Sequence, residues 1–563
     1  MKARRWRKPV WAAVAVALAF AVSAWVQTTT PRLTALMPAG ALLTLEARDF
    51  ATLLADWNGS PEKAAWLASD NYQVFSRSKL FVRLREAQDE LTAAAGLPAL
   101  DTAQLLRSVA GGRSALALYD VGDLRFLYIT ELPQARAVEN ALWQARASFE
   151  PRNAGGQAFY VRRSDETGRE AAFAVAGERL LLATSADLMA GALERLAGGA
   201  GETVAQEAWY ADSAAAATAE GEVRLTYDLR TLTRTSHFRS YWLPQNITEL
   251  AAFRAGVADL ERSADGIRER RVLLRQQAGD APPETQPAGR LLRLASPEAG
   301  FARAWARPDV AETVQLLRDK LLAPNRDPYA RYSGAPSIPG GDSQTGSEGD
   351  LETRIDQPPP PVERAEFGEQ VLRELLTPRN LQGALLTHRG SEAAPWPGHE
   401  VGLALEAQTP WPVGETLAAL TSSAAGLWTV SGVGAGWAQD GPLYQLNGLK
   451  PLFAAFDGTL LLLSDDRAVL ESMLARRAQP VPSSQAAVIA EWRRAGFEDA
   501  FEALFSRLEH QSSGGFGGPG REPFLFSENI ASLSRALGRV GSVRVERTEG
   551  ADRRDESVYY AFD

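Results

Sequence analysis

The 563-residue sequence predicts an α+β protein, with an N-terminal transmembrane helix followed by two related modules of mainly antiparallel sheet packed with helices. Three observations predict it. An uncharged apolar run, Val10–Val26, follows a basic flank of Lys2, Arg4, Arg5, Arg7 and Lys8. The remainder mixes short runs of period-two hydrophobicity with segments of helical spacing. Finally, one stretch matches another without a gap. Gly177-Glu178-Arg179-Leu180-Leu181-Leu182 aligns with Gly458-Thr459-Leu460-Leu461-Leu462-Leu463, and Leu188, Met189, Leu193 and Arg195 then fall on Val469, Leu470, Leu474 and Arg476.

The elements follow in order. Residues 1–9 form a basic cytoplasmic tail and 10–26 a signal anchor, since a helix rising about 1.5 Å per residue needs roughly this length to cross the hydrocarbon core. Trp11 and Trp25 sit near the two ends, where indoles favour membrane interfaces. A cleaved signal peptide is the alternative, with Val22-Ser23-Ala24 as its cleavage site. Either reading exports the rest, because the basic flank stays in the cytosol.

The first exported module, 27–200, opens with a strand over Ala41–Glu46 and a helix that Asp49 can cap. An amphipathic helix over Ser76–Ala95 follows, then a hairpin of Gly112–Asp120 with Leu124–Thr130. A helix over Ala135–Ser148, strands near Ala158–Arg163, Ala171–Ala176 and Arg179–Thr184, and a helix over Ala186–Leu196 complete it. The middle region, 201–324, predicts a strand over Glu222–Tyr227 with Asp228 capping a short helix. Helices are expected over Ile247–Arg262, Ala299–Ala306 and Val310–Leu322, and an arginine-decorated exposed strand over Ile267–Leu274.

Residues 325–364 are rich in Gly, Ser, Pro, Asp and Gln, ending in Pro358–Pro361, and read as a disordered linker. The second module, 365–480, repeats the first. It has paired strands Gly383–His388 and Val401–Glu406, a helix over Val413–Leu420, strands Leu443–Asn447, Leu452–Phe456 and Thr459–Ser464, and a helix over Arg467–Arg476. The last region, 481–563, carries a glycine-rich break at Gln511–Glu522, a helix near Ser527–Leu537, and a hairpin of Ser542–Glu546 with Val558–Phe562.

Composition narrows the function. There is no cysteine, which removes disulfides, thiolate metal sites, iron–sulfur clusters and thiol nucleophiles. A formal charge of −9 argues against nucleic acid as a partner. Hydrophobic residues make up 45% and charged residues 23%, the balance of a globular protein with proper cores. No G-x-S-x-G elbow or Walker lysine occurs.

The weaker motifs have structural readings. His388 and His399 with Glu400 make a metal site conceivable, against the reading of two surface-loop histidines, which is preferred. Gly432–Gly436 lacks a helix after it and reads as a turn rather than a phosphate loop. Arg268, Arg270 and Arg271 suit a charge-guarded strand edge, with anionic headgroups or an acidic partner as the alternative. The aromatic stretch Phe238–Trp242 is either core packing or a recognition patch. No catalytic, cofactor-binding or metal-ligating residue is therefore assigned, and no cofactor is expected.

The segment Leu36-Met37-Pro38-Ala39-Gly40-Ala41-Leu42-Leu43-Thr44-Leu45 resembles the opening of an uncharacterised family of exported bacterial proteins, domain of unknown function 3352. That family is similar in its N-terminal anchor, its early Leu-Pro-Ala strand entry and its duplicated strand–helix blocks. Here Met37 replaces the leucine before proline, and Gly40 stands where aspartate is frequent. The resemblance implies no catalytic residues. The expected function is a non-enzymatic, single-pass envelope protein of the plasma membrane, its bulk periplasmic, binding a protein or an envelope component. An envelope hydrolase, possibly metal-dependent, and an apolar-ligand carrier are the alternatives.

Overall fold

A computed structural model describes residues 32–68, 102–165, 168–218, 220–236, 250–278, 288–322, 369–391, 398–424, 436–448, 451–481, 484–496 and 540–563, with scattered positions between 72 and 95. The signal-anchor segment, the Phe238–Trp242 stretch, the 325–364 linker, the Gln511–Glu522 break and the Ser527–Leu537 helix lie outside the described residues, as does most of Ser76–Ala95. No helix among the described residues is long and apolar enough to cross a membrane.

The fold is α+β, built on antiparallel strands. The first ten are β1 (Leu43–Ala47), β2 (Ser114–Asp120), β3 (Arg125–Glu131), β4 (Glu150–Ala154), β5 (Gln157–Arg163), β6 (Glu170–Ala176), β7 (Arg179–Ala183), β8 (Val223–Tyr227), β9 (Phe253–Ser263) and β10 (Gly266–Arg275). They pair in the spatial order β4-β5-β6-β7-β3-β2-β1-β8-β9-β10.

The second ten are β11 (Phe301–Ala306), β12 (Leu381–Ser391), β13 (Gly398–Ala407), β14 (Trp437–Asp440), β15 (Leu443–Leu446), β16 (Leu452–Asp457), β17 (Leu460–Ser464), β18 (Val488–Arg493), β19 (Val540–Glu549) and β20 (Arg553–Phe562). Their order is β14-β15-β16-β17-β13-β12-β11-β18-β19-β20, the same connectivity strand for strand. β10 then pairs with β20, so the two halves share one continuous sheet. The stretch 201–324 thus contributes β8–β10 to the first half and β11 to the second, while 481–563 supplies β18–β20.

Register makes the correspondence residue-specific. Gly177 and Gly458, in matching turns, hold φ of +59° and +60°, a conformation that favours glycine. From those turns one cross-strand row runs Leu181-Ile129-Ala115-Glu46-Arg224-Asp259-Arg270. Its counterpart runs Leu462-Ala404-Leu385-Ala304-Ile489-Glu546-Ser557. Arg270 faces Ser557 across the junction, so a pseudo-two-fold axis passes through that pair.

Helices pack on both faces of the second half, and on both faces of β3, β6 and β7 in the first. On one face Ala186–Leu196 packs on Leu127, Ile129 and Leu181, and Arg467–Ala475 occupies the matching place over Leu385, Ala404 and Leu462. On the other, Val310–Leu317, Glu369–Leu376 and Val413–Ser423 bury Trp305, Leu403 and Leu463. The helix Ala208–Ala216 lies over Val257, Val272 and Leu274 of the first half.

Four expectations are corrected. Ile247–Arg262 is not a helix: Phe253–Ser263 is strand β9, with Phe253, Ala255 and Val257 buried. A spacing of four residues fits a strand face as well as a helix face, so Phe253 and Val257 satisfied both periods. Ala299–Ala306 contains strand β11, whose alanines hide the alternation. The helix expected over Ala135–Ser148 is broken into Gln134–Ala137, Ala141–Gln144 and a 3-10 turn at Arg146–Ser148, because Asn140 caps a fresh start at the Trp143 N–H. Finally, β10 is no exposed edge but is paired on both sides, by β9 and β20.

Candidate functional site

Strands β1 and β8 invert the usual polarity of a half-covered sheet. Thr44, Thr226 and Arg224 face the helix-covered interior at 0%, 0% and 8% exposure, while Leu45, on the opposite face, is 42% exposed. Leu43, Val223, Leu225 and Tyr227 share that outer face and are only part-buried. An alternating sequence normally puts its leucines inside. Here polar side chains hold the interior instead.

The interior polar group is connected. Thr34 Oγ1 donates to Tyr210 Oη at 3.0 Å, and Tyr210 Oη donates to Glu46 Oε1 at 2.7 Å. Arg224 grips Asp259 through two parallel bonds, Nε to Oδ1 at 2.8 Å and Nη2 to Oδ2 at 3.0 Å. The Gly221 N–H adds a third at 3.2 Å. The Thr44, Thr226 and Ser213 hydroxyls are buried without a hydrogen-bond partner among the described residues.

Burial raises the Glu46 carboxyl above its ordinary value, against the pull of its Tyr210 hydrogen bond and of Arg32, Arg224 and Arg113. Burial likewise pushes the Tyr210 phenol up to about 12, helped by the nearby Glu46 charge, so it stays a donor.

Above these residues a cleft of about 120 Å³ opens where β1, β2 and β8 end, lined by Arg32, Glu46, Arg48, Arg113, Glu220 and Arg224 among others. Glu220 lies 3.5 Å from Arg48 and 3.9 Å from Arg32, and Arg113 lies 3.5 Å from Glu131. An apolar cavity of about 30 Å³ between sheet and helices, bordered by Phe126, Leu142 and Phe173, is far below the several hundred Å³ of a typical small-molecule pocket.

The residues singled out in the sequence fall elsewhere. His388 lies on β12 with its ring 5.8 Å from that of Phe301, so it is a strand residue and not a loop residue. Its register partner is Val401, whereas Glu400 pairs with Arg389. Strand alternation therefore puts Glu400 on the opposite face from His388. The Glu400 carboxylate is taken by Arg389 Nε at 2.6 Å, and Arg389 also reaches Asp466 at 3.2 Å. His388 and Glu400 do not converge on a metal. Among the described residues no group of three His, Cys, Asp or Glu side chains could hold one.

The Arg268, Arg270 and Arg271 cluster is committed to the junction. Arg271 binds Glu269 and Glu556, Arg270 lies 3.5 Å from Glu261, and Arg268 stacks over Tyr559. Of Gly432–Gly436 only Gly436 is described. After it Trp437–Asp440 forms strand β14, so no helix N-terminus follows the glycines.

Glu46 and Arg224 escaped the sequence reading because each looks like the solvent-facing residue of an amphipathic strand. The available signal was indirect. Leu43-Thr44-Leu45-Glu46 and Val223-Arg224-Leu225-Thr226 alternate in the same sense and pair directly, so both strands commit the same face to polar groups.

No family model matches the chain, and no curated protein matches it. Among solved structures, crystal form III of TP0453 is similar at 12% identity over 46% of this chain and 83% of its own, with a TM-score of 0.24. Crystal form IV of TP0453 gives 12% identity over 43% and 80%, with a TM-score of 0.21. Scores this low carry no argument about fold or function.

Proposed function

We propose that this chain is an exported, single-pass, membrane-anchored protein of the bacterial cell envelope that works by binding a protein partner or envelope component. The anchor rests on the basic flank before Val10–Val26, and the resemblance to the exported family on the segment from Leu36 to Leu45. We read the matching halves as the product of duplication, the two modules being fused through β10 and β20.

One observation carries the binding reading: the inverted polarity of β1 and β8. A leucine 42% exposed on a strand paired at both edges is left uncovered by the described residues. Across the register from it stand Leu225 and then Ala258, with Leu260 and Ile267 nearby on the same face. Covering Leu45 would recover roughly 1–2 kcal/mol at about 25 cal/mol per Å². A sheet of this length offers a rigid surface at little ordering cost.

The test is purification of the full chain from mild detergent, followed by photo-crosslinking from position 45. A stoichiometric partner crosslinked there is expected. Repeated recovery of the chain alone would sink the reading. An alkaline phosphatase fusion after residue 563 checks sidedness, and activity of that fusion is expected.

A further inference from the structure

We propose that the helix pair Phe50–Gly59 and Pro61–Leu67 rests on the lipid bilayer, with Trp57, Ala64 and Leu67 set into the headgroup boundary of the membrane that holds the anchor. The inference rests on the anchored reading and adds a second point of membrane contact to it. It concerns the outward side of these helices, whereas partner binding at Leu45 concerns the sheet.

The first ground is which side chains the helices turn outward. Neither helix has a buried residue. Along the second, the exposed positions are Pro61, Ala64, Leu67 and its cap Ala68, an uncharged face recurring at helical spacing. The charged residues are turned aside: Glu62 accepts from Arg262 at 3.1 Å, and the Lys63 ammonium donates to Asn58. Trp57, near the end of the first helix, and Leu67 are each 46% exposed. The exposed Asp56 lies about 100° round the helix from Trp57. A helix on a globular body normally shows the reverse, with its polar residues outward.

The second ground is a comparison inside the molecule. Val310–Leu317 follows β11 as Phe50–Gly59 follows β1, and it buries Val314 and Leu317 in the large core of the second half. A sheet of the same connectivity therefore takes a helix packed down upon it, and the first half leaves its own helix uncovered.

The third ground is position, which favours lipid over a partner from solution. Arg32 stands six steps along the chain from Val26, a reach of at most about 22 Å. Arg32 and Arg48 both lie against Glu220, at 3.9 and 3.5 Å, so the tether arrives at the strand end where Asp49 caps the first helix. The Arg262 bond ties the second helix to the same end of the sheet, since Leu260 is in register with Val223 and Val223 with Ala47. An apolar face held this close to the anchor faces the bilayer. In-plane helices sink their apolar side about 5–10 Å into the headgroup and acyl boundary, a depth that tryptophan favours.

The chain has no cysteine, so a single introduced one carries a fluorophore at a unique place. The full chain is reconstituted in vesicles of phosphatidylethanolamine and phosphatidylglycerol, labelled in turn at Ala17→Cys, Ala64→Cys and Val481→Cys. Quenching is read with lipids bearing a nitroxide either near the headgroup or deep in the acyl chain. Ala17 reports on the anchor, and Val481, 48% exposed in the second half, is the surface control. Deep quenching at 17, shallow quenching at 64 and none at 481 are expected. Trp57→Glu with Leu67→Glu should abolish the quenching at 64 and leave that at 17 unchanged; both positions are exposed, so the variant keeps its fold. Absence of quenching at 17 overturns the anchored reading. Absence at 64 overturns the membrane contact whatever happens at 17, and the face would then belong to a protein partner. Quenching at 64 that survives the double substitution overturns the role given to Trp57 and Leu67.

Discussion

Removing Arg224 should cost far more stability than removing Arg224 and Asp259 together. The two side chains are 10% and 4% exposed and share two parallel bonds of 2.8 and 3.0 Å. In Arg224→Ala the Asp259 carboxylate keeps only the Gly221 N–H, and stranding a buried charge in this way costs about 3–5 kcal/mol. Asp259→Ala should cost less, about 1–3 kcal/mol, because the stranded guanidinium borders the open cleft and lies near Glu46. The double variant Arg224→Ile with Asp259→Leu takes its isoleucine from the equivalent Ile489 and, unlike the second half with Glu546, removes the charge on the next strand as well. It should lie within about 1 kcal/mol of the parent, or be more stable.

The assay is a double-mutant cycle with Arg224→Ala, Asp259→Ala and their combination, with the Arg224→Ile/Asp259→Leu variant alongside, on the full chain in detergent, with urea unfolding followed by hydrogen exchange at the amides of β8 and β9. A local probe is needed because a chain of this size need not unfold in one step. The expected coupling is several kcal/mol in favour of the double variant. If each single variant costs under about 1 kcal/mol, or the double variant is as unstable as the sum of the singles, the pair is not the buried, mutually dependent unit described.

Glu46→Gln should stabilise the protein above pH 4.5 and not below it. Burial raises the folded-state pKa above the ordinary 4.5, so the parent's stability is fully present below that value and falls as pH rises through the folded-state pKa; thermal midpoints from pH 4 to 8 would show the two proteins diverging upward. Leu45→Lys should abolish partner crosslinking while shifting stability by less than about 0.5 kcal/mol, as for any exposed position, and a loss of fold would refute the docking-face assignment. Gly266→Val should open the β10–β20 junction, since a Cβ there meets the Tyr560 carbonyl oxygen at 2.1 Å; exchange protection should drop over Ile267–Leu274 and persist in β3 and β13.

What the sequence revealed follows from how locally each element is encoded. The Asp49 and Asp228 caps, accepting from Thr52 N and from Arg230 and Thr231 N, were legible because capping needs only neighbouring residues. So were the helices at Ala186–Leu196 and Arg467–Ala475 and the β19–β20 hairpin. The Leu180 to Leu182 match with Leu461 to Leu463 caught the repeat at its most buried strand. It did not extend to β8–β10 and β18–β20, because those strands share no apolar pattern between the halves. Tight cross-strand ion pairs such as Arg271 with Glu556 depend on residues far apart in the chain, and nothing local announces them.

The candidate site was hidden for a related reason. A glutamate in a leucine strand reads as solvent-facing until the strand's two neighbours and the helix above it are known. Glu46 acquires its meaning from Tyr210, whose hydroxyl reaches it from a separate helix.

Internal pseudo-symmetry supplies a reference that a lone structure normally lacks. Where the two halves agree, as at Ile129 and Ala404 or Leu181 and Leu462, the agreement states what the sheet needs in order to pack. Where they differ within a shared register, packing cannot be the cause, since one half already folds with the cheaper choice. Ala304 and Ile489 are that cheaper choice, and Glu46 and Arg224 depart from it. The second half departs in its turn: Glu491, Arg544 and Glu546 pair with one another at the places of Thr226, Val257 and Asp259. The two halves therefore share one packing frame, and each sets a different group of paired charges on its inner strands.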